Sequence, residues 1–287
     1  MVAFAANSVL ARLALDRDHV DAGTFTLVRV ASGALVLWLL VRRSAPRRRL
    51  GTSTGSWPSA TLLFAYAATF SFAYLSLGAA TGALVLFAVV QTVMFTAAVG
   101  AGERPGWSGW AGLAIALSGL LALVAPGATA PDFTGTVLMA TAGVAWGFYS
   151  LRGRRSSHAV AETAGNFARS VPLAAILWVL LLALGKSVAV DGLTGLLLAV
   201  LSGAVASGLG YALWYTVLPW LTRAQSGIVQ LAPAPLAAVA GLMVLGEPIT
   251  ARVLVASVMI LGGVLLGVLR RSESRGLDRH DPPKGNG

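Results

Sequence analysis

Arg29 is the ionisable side chain placed most clearly inside an apolar run, "FTLVRVASGALVLWLL". A guanidinium at such depth can hold a carboxylate through paired, charge-assisted hydrogen bonds. The plainer reading is that, about a turn from its helix end, it snorkels to the interface and pins the helix. Asn7, Gln91 and Gln230 are amides in similar settings. An amide in hydrocarbon must find partners, so each is expected to face the bundle interior, line a wet cavity or join two helices. Tyr66, Trp146 and Tyr211 lie too deep in their runs to serve as interface anchors, and Tyr149 and Trp214 accompany them. In "QLAPAP", Pro233 and Pro235 stand beside Gln230 inside a run, where they are expected to bend a helix and free backbone carbonyls.

This inventory suits reversible recognition of a small polar molecule and not bond-making. The sequence holds no cysteine, and its histidines, His19, His158 and His280, fall in loops or the tail. It offers no paired carboxylates, no His with a carboxylate partner in a run and no phosphate-cradling glycine loop before a helix. No catalytic residue, metal site or cofactor is therefore expected, and a membrane-embedded enzyme is a poor fit. No Asp or Glu falls at the middle of a run either. That argues against proton-coupled efflux of hydrophobic cations and for a neutral or zwitterionic solute such as an amino acid.

The elements that carry these residues follow from composition. Hydrophobic residues make up 56% of the chain, charged residues 11%, and the mean hydropathy is +0.78, far from a soluble domain. A spanning helix needs about 20 mostly apolar residues, and the sequence supplies ten candidate runs. They are 2–15, 24–41, 59–77, 82–100, 107–124, 135–151, 167–184, 193–218, 226–245 and 249–269. An all-α integral membrane protein is expected, with the lipid bilayer as its surroundings. The first run is short for a span, so it starts in the interface or the true N-terminus lies upstream of Met1. The net charge of +10 would suggest nucleic acid if it formed one face, but the basic residues are scattered through short loops. With the N-terminus inside, 16 Lys and Arg fall on the inner side and 5 on or near the outer side. Both termini should therefore be cytoplasmic. The tail 270–287 is polar and rich in Pro and Gly, and is expected to be disordered.

A turn signal occurs twice, as "GERPG" with Glu103 and as "LGEPIT" with Glu247, 144 positions apart. Gly ends a helix, Pro opens the next, and a carboxylate is favoured at that positive end. A structural turn is the first reading, and a part in gating or ion coupling is the second. At the same offset "LSGLLALV" (117–124) meets "LGGVLLGV" (261–268), and at 140 Arg29 meets Arg169 and Trp38 meets Trp178. Residues 1–129 and 130–269 thus read as two homologous units of five helices. Five is odd, so the second enters the membrane inverted, an organisation that many secondary transporters share, with the solute path between repeats.

The runs "FAANSVLARLAL" and "WGFYSLRGRR", the paired Gly-Glu turns, and "LGYALWYTVLPWLTRAQSGIVQLAPAPLAAVAGLMVLGEPIT" resemble EamA-type members of the drug/metabolite transporter superfamily. The resemblance covers Phe4 to about Leu269. It implies ten helices, cytoplasmic termini in a bacterial inner membrane, and export of small metabolites by alternating access. Phe4 and Ala5 stand where that family usually has a Trp-Gly pair. The substrate, the direction, the oligomeric state and the choice between a proton, a counter-solute or facilitated diffusion stay open. A non-transporting sensor or scaffold is the alternative from another class.

Overall fold

A computed structural model of the chain describes residues 1–16, 19–44, 54–102, 105–127, 130–153, 158–186, 192–217, 220, 230 and 232–277. Every regular element among these residues is helical. They are α1 (Val2–Asp16), α2 (Ala22–Ser44), α3 (Trp57–Ala73), α4 (Ala79–Gly100), α5 (Trp107–Val124), α6 (Phe133–Gly153) and α7 (Ala159–Ala183). Next, α8 runs unbroken through Gly192–Val200, a π-helical stretch Leu201–Leu209, and Gly210–Val217. The last two are α9 (Pro233–Ala240, closed by a π turn Gly241–Leu245) and α10 (Ala251–Leu277). Five helical runs in the described residues, α2, α4, α5, α7 and α8, are long and apolar enough to cross a membrane. Their 18 to 25 residues correspond to about 27–38 Å at 1.5 Å per residue, the thickness of a bilayer core.

Small residues decide how closely these helices approach. Gly119 lies against Met259 and Ile260, and Gly263 against Gly112 and Ala116, which joins α5 to α10. A Cβ at Gly203 would collide with the carbonyl of Arg29 and with Ser32, so that glycine lets α8 press directly on the backbone of α2. α2 also packs on α7 and α3, α3 on α6 and α7, α1 on α8 and α9, α4 on α6 and α9, and α7 on α8. Further pairings of α4 with α1, α5 and α10 complete the bundle.

Helix ends meet in opposed senses. Trp178 near the end of α7 donates to Thr24 at the start of α2, at 2.9 Å. Arg252 at the start of α10 donates to Leu123 O at the end of α5, at 3.3 Å. Glu247, just past α9, accepts from the amide of Ala79 at the start of α4, at 2.7 Å. The carboxylate of Asp132, at the head of α6, meets Ser76 beyond the end of α3 at 2.8 Å, close to where Arg12 of α1 reaches Tyr74 O.

Pro233 and Pro235 occupy the first turn of α9, where the missing N–H costs nothing, and the residues just before them, 221–229 and 231, lie outside the described ones. One sequence expectation needs correction. Pro248 does not open α10; the helix begins at Ala251, with the Thr250 hydroxyl accepting from Val253 N at 3.3 Å. Gly246 does end its helix in the left-handed region, at φ +69°.

Candidate functional site

Polar and aromatic side chains from α1, α2, α3, α6, α7 and α8 converge in the interior. Arg29 is 2% exposed and does not snorkel to an interface. It faces inward two turns into α2, its Nε donating to Ser207 Oγ at 3.3 Å and its Nη2 to Tyr66 OH at 3.1 Å. The guanidinium carbon stands 5.2 Å from the Tyr66 ring centre and 4.6 Å from that of Phe70. Its Nη1 is buried with no acceptor. Asn7 donates to the same Tyr66 hydroxyl at 3.5 Å and accepts from Ser202 Oγ at 2.6 Å.

The π-helical stretch of α8 makes this possible. Its wider turns bring Ser202, Gly203 and Ser207 to the α1–α2 side together, two as hydrogen-bond partners and one as the gap that Arg29 backs into. Such stretches recur at functional sites.

Ring contacts extend the cluster across the bundle. Tyr66 lies 4.9 Å from Trp146, and Trp146 4.7 Å from Tyr211 and 5.6 Å from Tyr149. Phe4 touches Trp146, Tyr211 and Trp214, and Phe167 touches Tyr211. Among the described residues the hydroxyls of Tyr74, Tyr149, Tyr211 and Tyr215 are buried with no hydrogen bond of normal geometry, although Ser8 stands near that of Tyr74, Asn166 and Thr163 near that of Tyr149, and Tyr66 near that of Tyr211. A buried hydroxyl without a partner carries a desolvation cost, so their concentration here marks a place built for something polar.

Of the residues singled out from sequence, Arg29, Asn7, Tyr66, Trp146, Tyr149, Tyr211 and Trp214 share this one cluster. Gln91 stands apart from its hydrogen bonds: it is half-buried in α4 with Nε2 buried and unpartnered. Gln230 is buried in the turn that precedes α9. Pro233 is buried and Pro235 exposed at the start of that helix. Glu103 lies outside the described residues. Sequence reading missed Phe4, Phe70 and Phe167, which look like ordinary core residues, and Ser202.

Polar contacts among the described residues bracket the cluster at both ends. At one, Arg12 pairs with Glu247 at 3.1 Å, with side chains 15% and 21% exposed, and also donates to Tyr74 O at 3.1 Å. Glu247 thereby caps α4 instead of its own following helix. A cavity of about 220 Å3 adjoins this pair, lined by Thr81, Thr250 and Arg252 among others. At the other end, Arg152 donates to Ser59 Oγ at 2.9 Å, Asn166 accepts from Ser56 N at 2.8 Å, and Arg169 donates to Thr54 O. The space left there, beside Tyr149, Glu162 and Tyr215, is only about 20 Å3.

A cluster as buried as this can bind and release a solute only if the helices around it move. Residues 133–269 match the EamA-like transporter family. An uncharacterized protein of Pseudomonas aeruginosa is 48% identical over 267 residues, covering 93% of this chain and 91% of its own length. The chain belongs to the EamA-like transporter family. A solved crystal structure aligns with a TM-score of 0.65 over 94% of this chain and 96% of its own, at 20% identity. That likeness concerns the fold alone. Family and apolar helices together make this EamA-like chain a multi-pass membrane protein of a transporter family, with a small-molecule substrate.

Proposed function

We propose that this EamA-like protein is a secondary transporter that exports a small polar metabolite, such as an amino acid, by alternating access. The observation that carries the reading is the Arg29–Tyr66–Asn7–Ser202–Ser207 hydrogen-bonded cluster. It joins α1, α2 and α3 to α8 and is walled by rings from both halves of the chain.

The architecture that suits this function is ten spans in two inverted repeats, 1–129 and 130–269, followed by a cytoplasmic tail. Helix pairings support it. Adding or subtracting five turns α3–α6 into α8–α1, α4–α6 into α9–α1, α2–α8 into α7–α3 and α2–α3 into α7–α8, while α5–α10, α2–α7 and α4–α9 map onto themselves. Three pairings of α4, with α1, α5 and α10, have no comparably extensive mate among the described residues. Inversion is supported by the opposed helix ends, since α2 starts where α7 finishes, α5 finishes where α10 starts, and α4 starts where α9 finishes. Basic residues concentrated in alternate loops favour cytoplasmic termini in a bacterial inner membrane.

In this mechanism solute binds among Arg29, Asn7, Tyr66, Trp146, Tyr149, Tyr211 and Trp214, with Gln91 and Gln230 on its approaches. One half then rocks against the other. The Arg12–Glu247 pair is the latch of the outer side, and Glu103 marks the equivalent turn of the inner side. Efflux of hydrophobic cations is the weaker reading, because the cluster presents a guanidinium where such solutes want a carboxylate.

Counterflow in proteoliposomes tests the proposal. Vesicles holding the purified protein are loaded in turn with unlabelled amino acids, nucleosides and cationic dyes, and uptake of the matching labelled solute is followed. Accumulation with amino acids is expected; accumulation with dyes alone overturns the substrate class, and none with any solute overturns transport.

A further inference from the structure

The guanidinium of Arg29 is a full positive charge inside the bundle, and each partner it has there is neutral: two hydroxyls and two ring faces. Hydroxyls and ring quadrupoles offset only part of the cost of removing such a charge from water. One nitrogen, Nη1, has no acceptor among the described residues.

Other arginines show that the fold readily supplies carboxylate or carbonyl acceptors to a guanidinium. Arg12 has the Glu247 carboxylate and the carbonyl of Tyr74. Arg252 reaches the carbonyls of Leu123 and Ala125 at the end of α5. The most direct comparison is Arg169, which occupies the position in the second half that answers to Arg29 in the first. Arg169 hydrogen-bonds the carbonyls of Thr54 and Gly165 and so ties α7 to the segment before α3. Arg29 has taken no carbonyl, although it lies deeper. Nor does an acid supply the missing charge. Asp21, Asp132, Glu162 and Glu247, the acids with described side chains, all sit at or beyond helix ends.

We propose that the transported solute carries a carboxylate and that this carboxylate docks on Arg29. The inference rests on the central transport site proposed above and narrows its substrate class. Such an anion supplies the acceptor that Nη1 lacks and neutralises the buried charge, so the binding energy comes from relief of a cost already built into the empty site. The rings of Phe4, Trp146 and Tyr211 stand beside the cluster as an apolar wall for the remainder of the molecule. A solute with only a neutral carbonyl can accept from Nη1 but leaves the buried charge unneutralised, and a cation is repelled.

The test uses the full chain in proteoliposomes and three matched pairs: leucine and leucinamide, phenylalanine and phenylalaninamide, succinate and succinamide. Within at least one pair the acid is expected to exchange about 10- to 100-fold better than its amide, the range for a lost charge-assisted hydrogen bond. Arg29→Gln should remove that preference, bringing the acid down to its amide, while Arg29→Lys keeps part of it. Should Arg29→Gln fail to fold, the acid-to-amide ratio of the wild-type protein still decides the matter. Equal exchange of acids and amides, or exchange of amides alone, overturns the carboxylate assignment while leaving transport intact. No exchange of any solute in tight vesicles overturns the transport reading, and this inference with it.

Discussion

Arg12 and Glu247, 235 residues apart in sequence, meet at 3.1 Å where the ends of α1, α3, α4 and α9 converge. The same carboxylate holds the first amide of α4 at 2.7 Å, so one acid ties the two halves of the chain together at one face. An exposed ion pair alone contributes little, roughly 0–1 kcal/mol. A charged cap on a backbone amide adds more, about 1–3 kcal/mol.

Glu247→Gln keeps an acceptor for Ala79 but takes the charge from Arg12. The closed arrangement of that face should then be weakened by about 1 kcal/mol. The chain has no cysteine, so Thr81→Cys, which lines the adjoining cavity, can report on opening. Labelling of Cys at this position by a membrane-impermeant maleimide is expected to quicken several-fold in the Glu247→Gln background. An unchanged rate would show that the pair does not keep this face shut.

The Tyr66 hydroxyl accepts from Arg29 and Asn7, whereas the Tyr211 hydroxyl makes no hydrogen bond of normal geometry among the described residues. Phenylalanine at these two positions should therefore act differently. Tyr66→Phe strands two buried donors and is expected to cost about 1–3 kcal/mol; Tyr211→Phe removes an unsatisfied group and should be neutral or stabilising. Thermal unfolding in detergent compares them directly. If Tyr211 serves the solute, Tyr211→Phe will slow counterflow despite its intact stability, and equal melting losses in the two variants would contradict this account.

Much of this arrangement was legible in the sequence because length and hydropathy alone place helices. The run read as 193–218 is α8 at 192–217, and Gly246 ends a helix as a glycine in the left-handed region should. Depth was legible too, and it picked out Tyr66, Trp146 and Tyr211. Direction was not. Distance from a helix end says how deep Arg29 lies, but not which way it faces, so snorkelling and an inward carboxylate site were both consistent with its position. Ser202 and Ser207 lie on a π-helical stretch, where the 3.6-residue period that assigns helix faces does not hold. The partner of Glu247 was invisible because it comes from a contact across 168 and 235 residues, to Ala79 and Arg12.

Gly203 tests whether that π-helical stretch must touch α2. A side chain there meets the Arg29 carbonyl, which is backbone and cannot swing aside. Gly203→Ala should force α8 away from α2 and destabilise the protein by about 1–3 kcal/mol, while Gly262→Ala on α10, with open space around its Cβ position, should be harmless. Melting temperatures in detergent separate the two, and a Gly203→Ala protein as stable as wild type would mean that the two helices have slack where they cross.

Asp132 provides a pH-dependent prediction. It lies in the loop before α6, and the amide of Gly135, at 2.6 Å, holds its carboxyl below the ordinary carboxylate value, with the Ser76 hydroxyl assisting. A carboxyl whose pKa is lower folded than unfolded stabilises the fold above the unfolded value. That contribution is lost as pH falls through the folded value. Asp132→Ala should therefore melt below wild type at pH 7, and the gap should narrow as pH drops from about 5 toward 3. Melting curves for both proteins across that interval give the answer. A gap that stays constant with pH would mean that the cap works through its neutral hydrogen-bonding shape and not its charge; a gap that widens in acid would reverse the sign and exclude a stabilised carboxylate at the head of α6.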